Sequence, residues 1–133
     1  MAAGKYSFAI EQGSTVDFEI AYKDSNGDPI DLTDYQARMQ IKDSAGGSTT
    51  YITLSSSLDA CGTGLHMSGS GDLNPPTSGT IGIFISAKSS SLLSFDQASY
   101  DLEISSGSGD CFTVTRLIEG SVRLIKEVTT GNY

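Results

Sequence analysis

Apolar and polar residues alternate along most of this chain. Val16, Phe18, Ile20 and Tyr22 are interleaved with Asp17, Glu19 and Lys23, and Ala37, Met39 and Ile41 with Arg38, Gln40 and Lys42. Tyr100, Leu102 and Ile104 alternate with Asp101, Glu103 and Ser105, and Val122 and Leu124 flank Arg123. A period of two sends successive side chains to opposite faces of a sheet, so each stretch predicts a strand with one apolar and one wetted face. Two further stretches suit central strands, being rich in β-branched and aromatic residues. Thr80–Ser86 places Ile81, Ile83 and Ile85 on one face with Gly82 and Phe84 on the other; Cys111–Ile118 is the second. Lys5–Ile10 and Thr49–Leu54 bring the expected number to about eight.

The connections carry turn chemistry. Asp24-Ser25-Asn26-Gly27-Asp28-Pro29 holds an Asn-Gly pair, which tolerates positive φ, between two strand-like runs. Ser106–Asp110 reads as a hairpin loop, and Gly120 as a bulge or corner between Glu119 and Ser121. Only Leu32–Tyr35 and Ala87–Leu93 suit a helical turn, and both are too short to stand without packing. The Gly- and Ser-rich segment 55–79 reads as one long loop, with a short strand near Leu65–Ser68 as an option. Long loops in compact domains are commonly functional, so Leu65, His66, Met67 and Leu73 are its candidate protein-contact residues. The remaining core should survive deletion of most of this segment. Short strands separated by frequent turns predict an all-β fold, an antiparallel β-sandwich of about 7–9 strands with one or two short helical turns. A small barrel is the alternative. Residues 1–133 form one domain, with 1–5 and 128–133 as possible arms.

Composition narrows the chemistry. Sixteen acidic residues against eight basic ones give a formal charge of −8, a field that repels phosphate backbones and anionic lipid. No apolar run approaches the roughly 20 residues of a membrane span, and Met1–Lys5 lacks the apolar core of a secretory signal. Neither nucleic acid nor membrane is therefore expected as a partner, and folding in the cytoplasm is. Two cysteines, Cys61 and Cys111, are too few for a disulfide framework and are expected as free thiols.

No candidate for catalysis is strong. His66 is the sole histidine and has no nucleophile elbow beside it. Asp24, Asn26 and Asp28 reproduce the first half of a calcium loop, but Pro29 stands where that loop turns on Gly and Tyr35 where it ends on Glu. They are a weak metal candidate, with an ordinary Asx turn as the alternative. Asp17 with Glu19, and Asp101 with Glu103, share strand faces as paired carboxylates do in glycosidases, yet the chain has no Trp to stack a sugar. Solvated sheet faces are the simpler reading. Arg116, Arg123 and Lys126 read as partners for the acidic faces or as charges at a subunit contact. No cofactor is expected.

Several segments together resemble a known family. They are Ile10–Phe18, then Tyr22–Ile41 with its Asp28-Pro29-Ile30-Asp31-Leu32-Thr33 and Ala37-Arg38-Met39-Gln40-Ile41, then Tyr100-Asp101-Leu102-Glu103 and Arg116-Leu117-Ile118-Glu119-Gly120. This pattern is similar to the immunoglobulin-like domain at the N-terminus of phage baseplate upper proteins, and to small proteins encoded among phage tail genes. The resemblance runs from about Ile10 to Val128 and rests on turn and core signals, which specify a fold better than a site. It implies an immunoglobulin-like sandwich that docks, in symmetric copies, onto other tail or baseplate proteins of a virion, with no active-site motif. Segment 55–79 with Cys61, and the strand start at Cys111, depart from the pattern. Longer relatives continue past the point corresponding to Tyr133. The expected role is thus a non-enzymatic adaptor of a phage tail, baseplate or neck, made in the host cytoplasm. A carbohydrate- or receptor-binding module on the tail and a capsid decoration protein are the alternatives.

Overall fold

The alternating residues do form strands, and their apolar faces meet. The computed structural model describes residues 4–44, 46–69, 76–107 and 111–128. Among these, the strands are β1 (Gly4–Lys5), β2 (Phe8–Glu11), β3 (Val16–Ala21), β4 (Gln36–Lys42), β5 (Thr50–Ser55), β6 (Gly64–His66), β7 (Thr80–Ile85), β8 (Gln97–Ser106) and β9 (Thr113–Ile125). Helix α1 (Ala87–Ser91) is a single short turn, and Pro76–Ser78 is a 3-10 turn. The larger sheet has the order β1-β9-β8-β4-β5, with β2 also on β9; the smaller has the order β3-β7-β6. Two sheets with separate edges make a sandwich and exclude the barrel.

The core is the sum of the inward faces. Ile81, Ile83 and Ile85 of β7 are fully buried, as are Met39 and Ile41 of β4, Leu102 of β8 and Val122 of β9. Aliphatic residues at alternate positions interdigitate between the sheets, and burying each is worth roughly 1.5–3 kcal/mol. Neither cysteine lies in β3 or β8, so no disulfide crosses the sandwich; both are free and exposed. The order β9-β8-β4-β5 facing β3-β7-β6 is the immunoglobulin arrangement of a variable-type sheet with one added strand against a three-stranded sheet. The chain is an immunoglobulin-like β-sandwich.

The first strands depart from the antiparallel rule. β1 and β2 both run parallel to β9, pairing Lys5 with Glu119 and Phe8 with Val122. The register is the same in both, so Gly4–Glu11 is one edge segment interrupted at Tyr6–Ser7. There the Tyr6 N–H donates to the Glu119 carbonyl at 3.0 Å, and the Ser121 N–H to Ser7 Oγ at 3.2 Å. Gly120 faces this interruption, and a Cβ on it would fall 2.1 Å from the Tyr6 carbonyl oxygen. The Tyr100 ring, cross-strand from Gly120, sends its hydroxyl to that same carbonyl.

The structure departs from the sequence pattern at several points. Gly120 marks no corner: the two expected C-terminal strands are one, β9, and the bulge lies at Leu117, where the pairing skips from Ile118 to Arg116. The glycine answers a close backbone approach instead. Leu32–Tyr35 is not a helical turn but a tight turn closed by Tyr35 N–H to Leu32 O at 3.0 Å, with Asp34 at φ 68°. The Asn-Gly loop reverses the chain but joins strands of different sheets, since β3 pairs β7 and β4 pairs β5 and β8. Segment 55–79 is not a dispensable loop, because β6 within it is the third strand of the smaller sheet. Gly4 and Lys5, assigned to an N-terminal arm, are strand β1; Val128 is 97% exposed, and residues 129–133 lie outside the described residues.

Candidate interaction surface

The outer face of the larger sheet collects the positive charge of an acidic chain. Strand alternation turns Lys5, Arg38, Lys42, Arg116 and Arg123 outward on this face, five of the eight basic residues. Acidic residues are set between them. Arg38 bonds Glu103 across β4–β8 at 2.6 Å. Arg116 reaches Asp101 at 3.2 Å and Glu119 at 3.6 Å, and Lys5 pairs with Glu119 from β1. The hydrogen bond from Lys5 and its positive charge, with Arg116 behind them, hold the Glu119 carboxyl below its ordinary range. Exposed pairs of this kind stabilise little, about 0–1 kcal/mol each. Their effect is a face of alternating sign that is close to neutral on a chain of net charge −8.

Two partly open depressions indent this face. One, of about 370 Å³, lies among Lys5, Gln40, Lys42, Ser99, Arg116 and Glu119. The other, of about 360 Å³, lies among Arg38, Ser55, Ser57, Glu103, Phe112 and Val114. Phe112, just before β9, and Val114, on an outward position of β9 next to Arg116, are 54% and 46% exposed. Apolar residues beside Arg–carboxylate pairs are the ingredients of a protein contact: an apolar centre and a polar rim. Pattern reading leaves this pair out, because Cys111–Ile118, β-branched and aromatic almost throughout, shows no period that tells a wet face from a covered one. The polar partners opposite Val114 and Arg116, namely Ser105 and Glu103, were the signal that one face is wet.

The residues singled out from sequence are scattered. Leu65 is 1% exposed, in the core beside Ile83 of β7, which corrects its assignment as a surface contact. Met67 packs partly against the same core. His66 is half-buried, with Nε2 2.9 Å from the Gly62 carbonyl and its ring edge-on to Phe84 at 6.0 Å. Leu73 lies outside the described residues. The structure thus brings Leu65, His66 and Met67 to β6 and its exit, as packing residues of the smaller sheet.

The Asp24 loop is explained by its own backbone. Asp24 Oδ1 accepts the N–H groups of Asn26 and Asp28 at 2.9 and 3.0 Å, while Asp24 N–H bonds Asp28 O and Gly27 N–H bonds Asp24 O. Gly27 sits at φ 84°. The same pattern recurs at Asp59, whose Oδ1 accepts from Cys61 and Thr63 at 2.8 and 2.9 Å, with Gly62 at φ 85°. Two Asp-x-x-Gly loops of one design, one of them without a second acidic residue, identify the motif as a turn device rather than half a cation site. Among the described residues no group of three His, Cys, Asp or Glu side chains converges.

A third Asx bond lies nearby. The Thr33 hydroxyl, then its N–H, lower the Asp31 carboxyl below its ordinary value. The described tyrosines form no stacking platform: Tyr100 is buried, Tyr22, Tyr35 and Tyr51 pack partly against the core, and Tyr6 alone among them is well exposed. Burial, with a smaller push from Tyr6, raises the Tyr100 phenol to about 12. No described helix is long and apolar enough to cross a membrane. The sequence matches no protein-family model and no curated protein, so the fold is established by its own geometry.

Proposed function

We propose that this chain is a non-enzymatic structural subunit of a phage virion, an adaptor of the tail, baseplate or neck that works through protein–protein contacts. The observation that carries the reading is the outer face of the larger sheet. It gathers Lys5, Arg38, Lys42, Arg116 and Arg123 of an acidic chain, pairs them with Asp101, Glu103 and Glu119, and ends in exposed Phe112 and Val114. A broad, gently indented face of alternating charge fits another protein surface better than it fits a small substrate, which needs a concave and mostly enclosed pocket. The ion pairs set orientation and partner choice more than affinity. The resemblance to baseplate domains supplies the setting.

The test is the location of the chain in particles produced by the genome that encodes it. Mass spectrometry of purified particles should detect the chain, and immunogold labelling should place it on the tail or its tip. Labelling of the head would instead favour a decoration protein. Absence of the chain from purified particles would refute the virion reading. A triple substitution of Arg38, Phe112 and Val114 to Glu, Ser and Ser should then leave the domain folded but missing from the particle.

A further inference from the structure

Each sheet of this sandwich ends in an edge, and three of the four edges are protected against pairing with another chain. The β1–β2 edge is interrupted at Tyr6–Ser7 and carries Lys5 and Glu11. Edge strand β3 bears Asp17 and Glu19 at exposed positions. Edge strand β6 is only three residues long. The fourth edge, β5, has no such protection. Its sequence is Thr-Tyr-Ile-Thr-Leu-Ser, and no charged residue or proline stands between Asp43 and Asp59. Strong β-formers without charge are the composition that natural edges avoid.

The ladder shows which groups this edge presents. Ser56 N–H bonds the Ala37 carbonyl, so Ala37 and Ser56 face one another as a hydrogen-bonded pair. Hydrogen-bonded pairs recur at every second position, so Leu54 and Ile52 direct their N–H and C=O groups to Met39 and Ile41 of β4. Thr53 and Ser55 therefore point theirs away from β4. Among the described residues no strand pairs with that side of β5, which is open at Thr53 and approached at its far end by Gly64 of β6, where an added Cβ would fall 2.6 Å from the Ser55 carbonyl oxygen.

We infer that β5 pairs antiparallel with β5 of a second copy of this chain, joining the two larger sheets across a two-fold axis at Thr53. This deepens the assembly reading above and rests on it. The occupant is chosen by charge and register. A two-fold axis sets each strand against itself, so like charges on the edge would meet; β3 would oppose its own carboxylates, and β5 opposes none. With Thr53 on the axis, Thr53 faces Thr53 of the second copy as a hydrogen-bonded pair, and Leu54 faces the other copy's Ile52. Opposed threonines are a favourable cross-strand pair. Two chains of net charge −8 repel as wholes, and this edge lets them meet where no acidic residue lies. On β4, one strand further in, Arg38 is neutralised by Glu103 and Lys42 adds a positive charge, so no acidic excess faces the approach.

Sedimentation equilibrium of the purified full chain, from micromolar to millimolar concentration, tests the inference. Wild type should rise from 13.9 kDa towards twice that mass. Thr53→Lys and Thr53→Glu change an exposed side chain whose only described bond is from Gln40 at 3.3 Å, so both should keep wild-type circular dichroism and melting. Each alone should raise the dimer dissociation constant fivefold or more, because like charges then oppose one another on the axis. An equimolar mixture of the two should recover dimer. A wild type that stays monomeric at millimolar concentration overturns the inference, and so does Thr53→Lys with an unchanged constant, or a mixture no more associated than either variant alone. None of these outcomes touches the particle-labelling result, so failure of the edge contact and failure of the virion reading are separable.

Discussion

Replacing Gly120 with alanine isolates one close approach. Gly120 has no positive φ, so alanine fits its backbone and the cost is steric. The new Cβ would stand 2.1 Å from the Tyr6 carbonyl oxygen, against an ordinary carbon–oxygen separation of roughly 3.3 Å. Tyr6 must therefore retreat from β9. The retreat breaks the Tyr6 N–H bond to Glu119 and the Tyr100 hydroxyl bond to the Tyr6 carbonyl. Two hydrogen bonds at about 1 kcal/mol each, with about 1–3 kcal/mol more for a buried hydroxyl left unpaired, make the gross loss. The reduced freedom of the unfolded chain returns about 0.4–1 kcal/mol. The predicted net loss is roughly 3 kcal/mol, which lowers the melting temperature of a domain this size by roughly 10 °C. Urea unfolding followed by far-ultraviolet circular dichroism reads it directly. Tyr100→Phe should cost about 1 kcal/mol, and the double variant should cost less than the sum, since both act on the same carbonyl. A Gly120→Ala protein within about 0.5 kcal/mol of wild type would show that the edge segment moves aside freely and that the Tyr6 bonds contribute nothing measurable, refuting the predicted loss.

Tyr100 also predicts an alkaline transition. Its phenol ionises near 10.0 in the unfolded chain and about 12 in the fold, so its contribution is complete below pH 10 and lost as pH rises towards 12; denaturation against pH should show the loss in wild type and not in Tyr100→Phe. Lys5→Met should raise the titration midpoint of the Glu119 carboxyl, measured by NMR, because the hydrogen bond and charge that lower it are gone. The stability from that lowering is present above the ordinary carboxylate value and lost as pH falls through the lowered one. Leu65→Ala should destabilise by about 2–5 kcal/mol as a core truncation, whereas Leu92→Ala, at 77% exposure, should stay within about 0.5 kcal/mol in the same urea titration. Asp24→Ala should cost about 1–2 kcal/mol by removing the acceptor of two exposed turn bonds, those from the Asn26 and Asp28 N–H groups. Millimolar calcium should leave the wild-type melting temperature unchanged, and a rise of several degrees would restore the loop as a cation site.

What was legible from sequence was whatever period two could carry. Ile81, Ile83 and Ile85, or Tyr100, Leu102 and Ile104, announce both strand and inward face, and all six are buried. β6 was legible only as an option near Leu65–Ser68, because three residues opened by a glycine offer no period to count; its place in the smaller sheet shows only in its pairing with β7. Gly120 misled for a physical reason. Glycine in a strand signals either a break or a close approach, and the backbone that approaches is Tyr6, far away in sequence. The outward face of β9 was hidden because the β-branched Val114 and the aromatic Phe112 look like core whether or not another layer covers them. Which edge stays open is likewise non-local, being decided by pairing that no window of sequence contains.

The parallel pairing of the N-terminal edge with β9 has a consequence for the order of folding. Ser7 meets Ser121 across a separation of 114 residues, while the β8–β9 hairpin closes between Ser106 and Thr113, 7 apart. Closing the larger loop costs roughly 2.5 kcal/mol more in chain entropy, by the logarithm of the ratio of lengths. Contacts that span nearly the whole chain slow a β-fold, and they form after the local hairpin has provided a template. On a ribosome, β2 therefore waits with Phe8 and Ile10 unburied until the last strand has emerged. Pulse-labelled hydrogen exchange during refolding should find the β2 amides protected later than those of β8, and simultaneous protection would contradict this order.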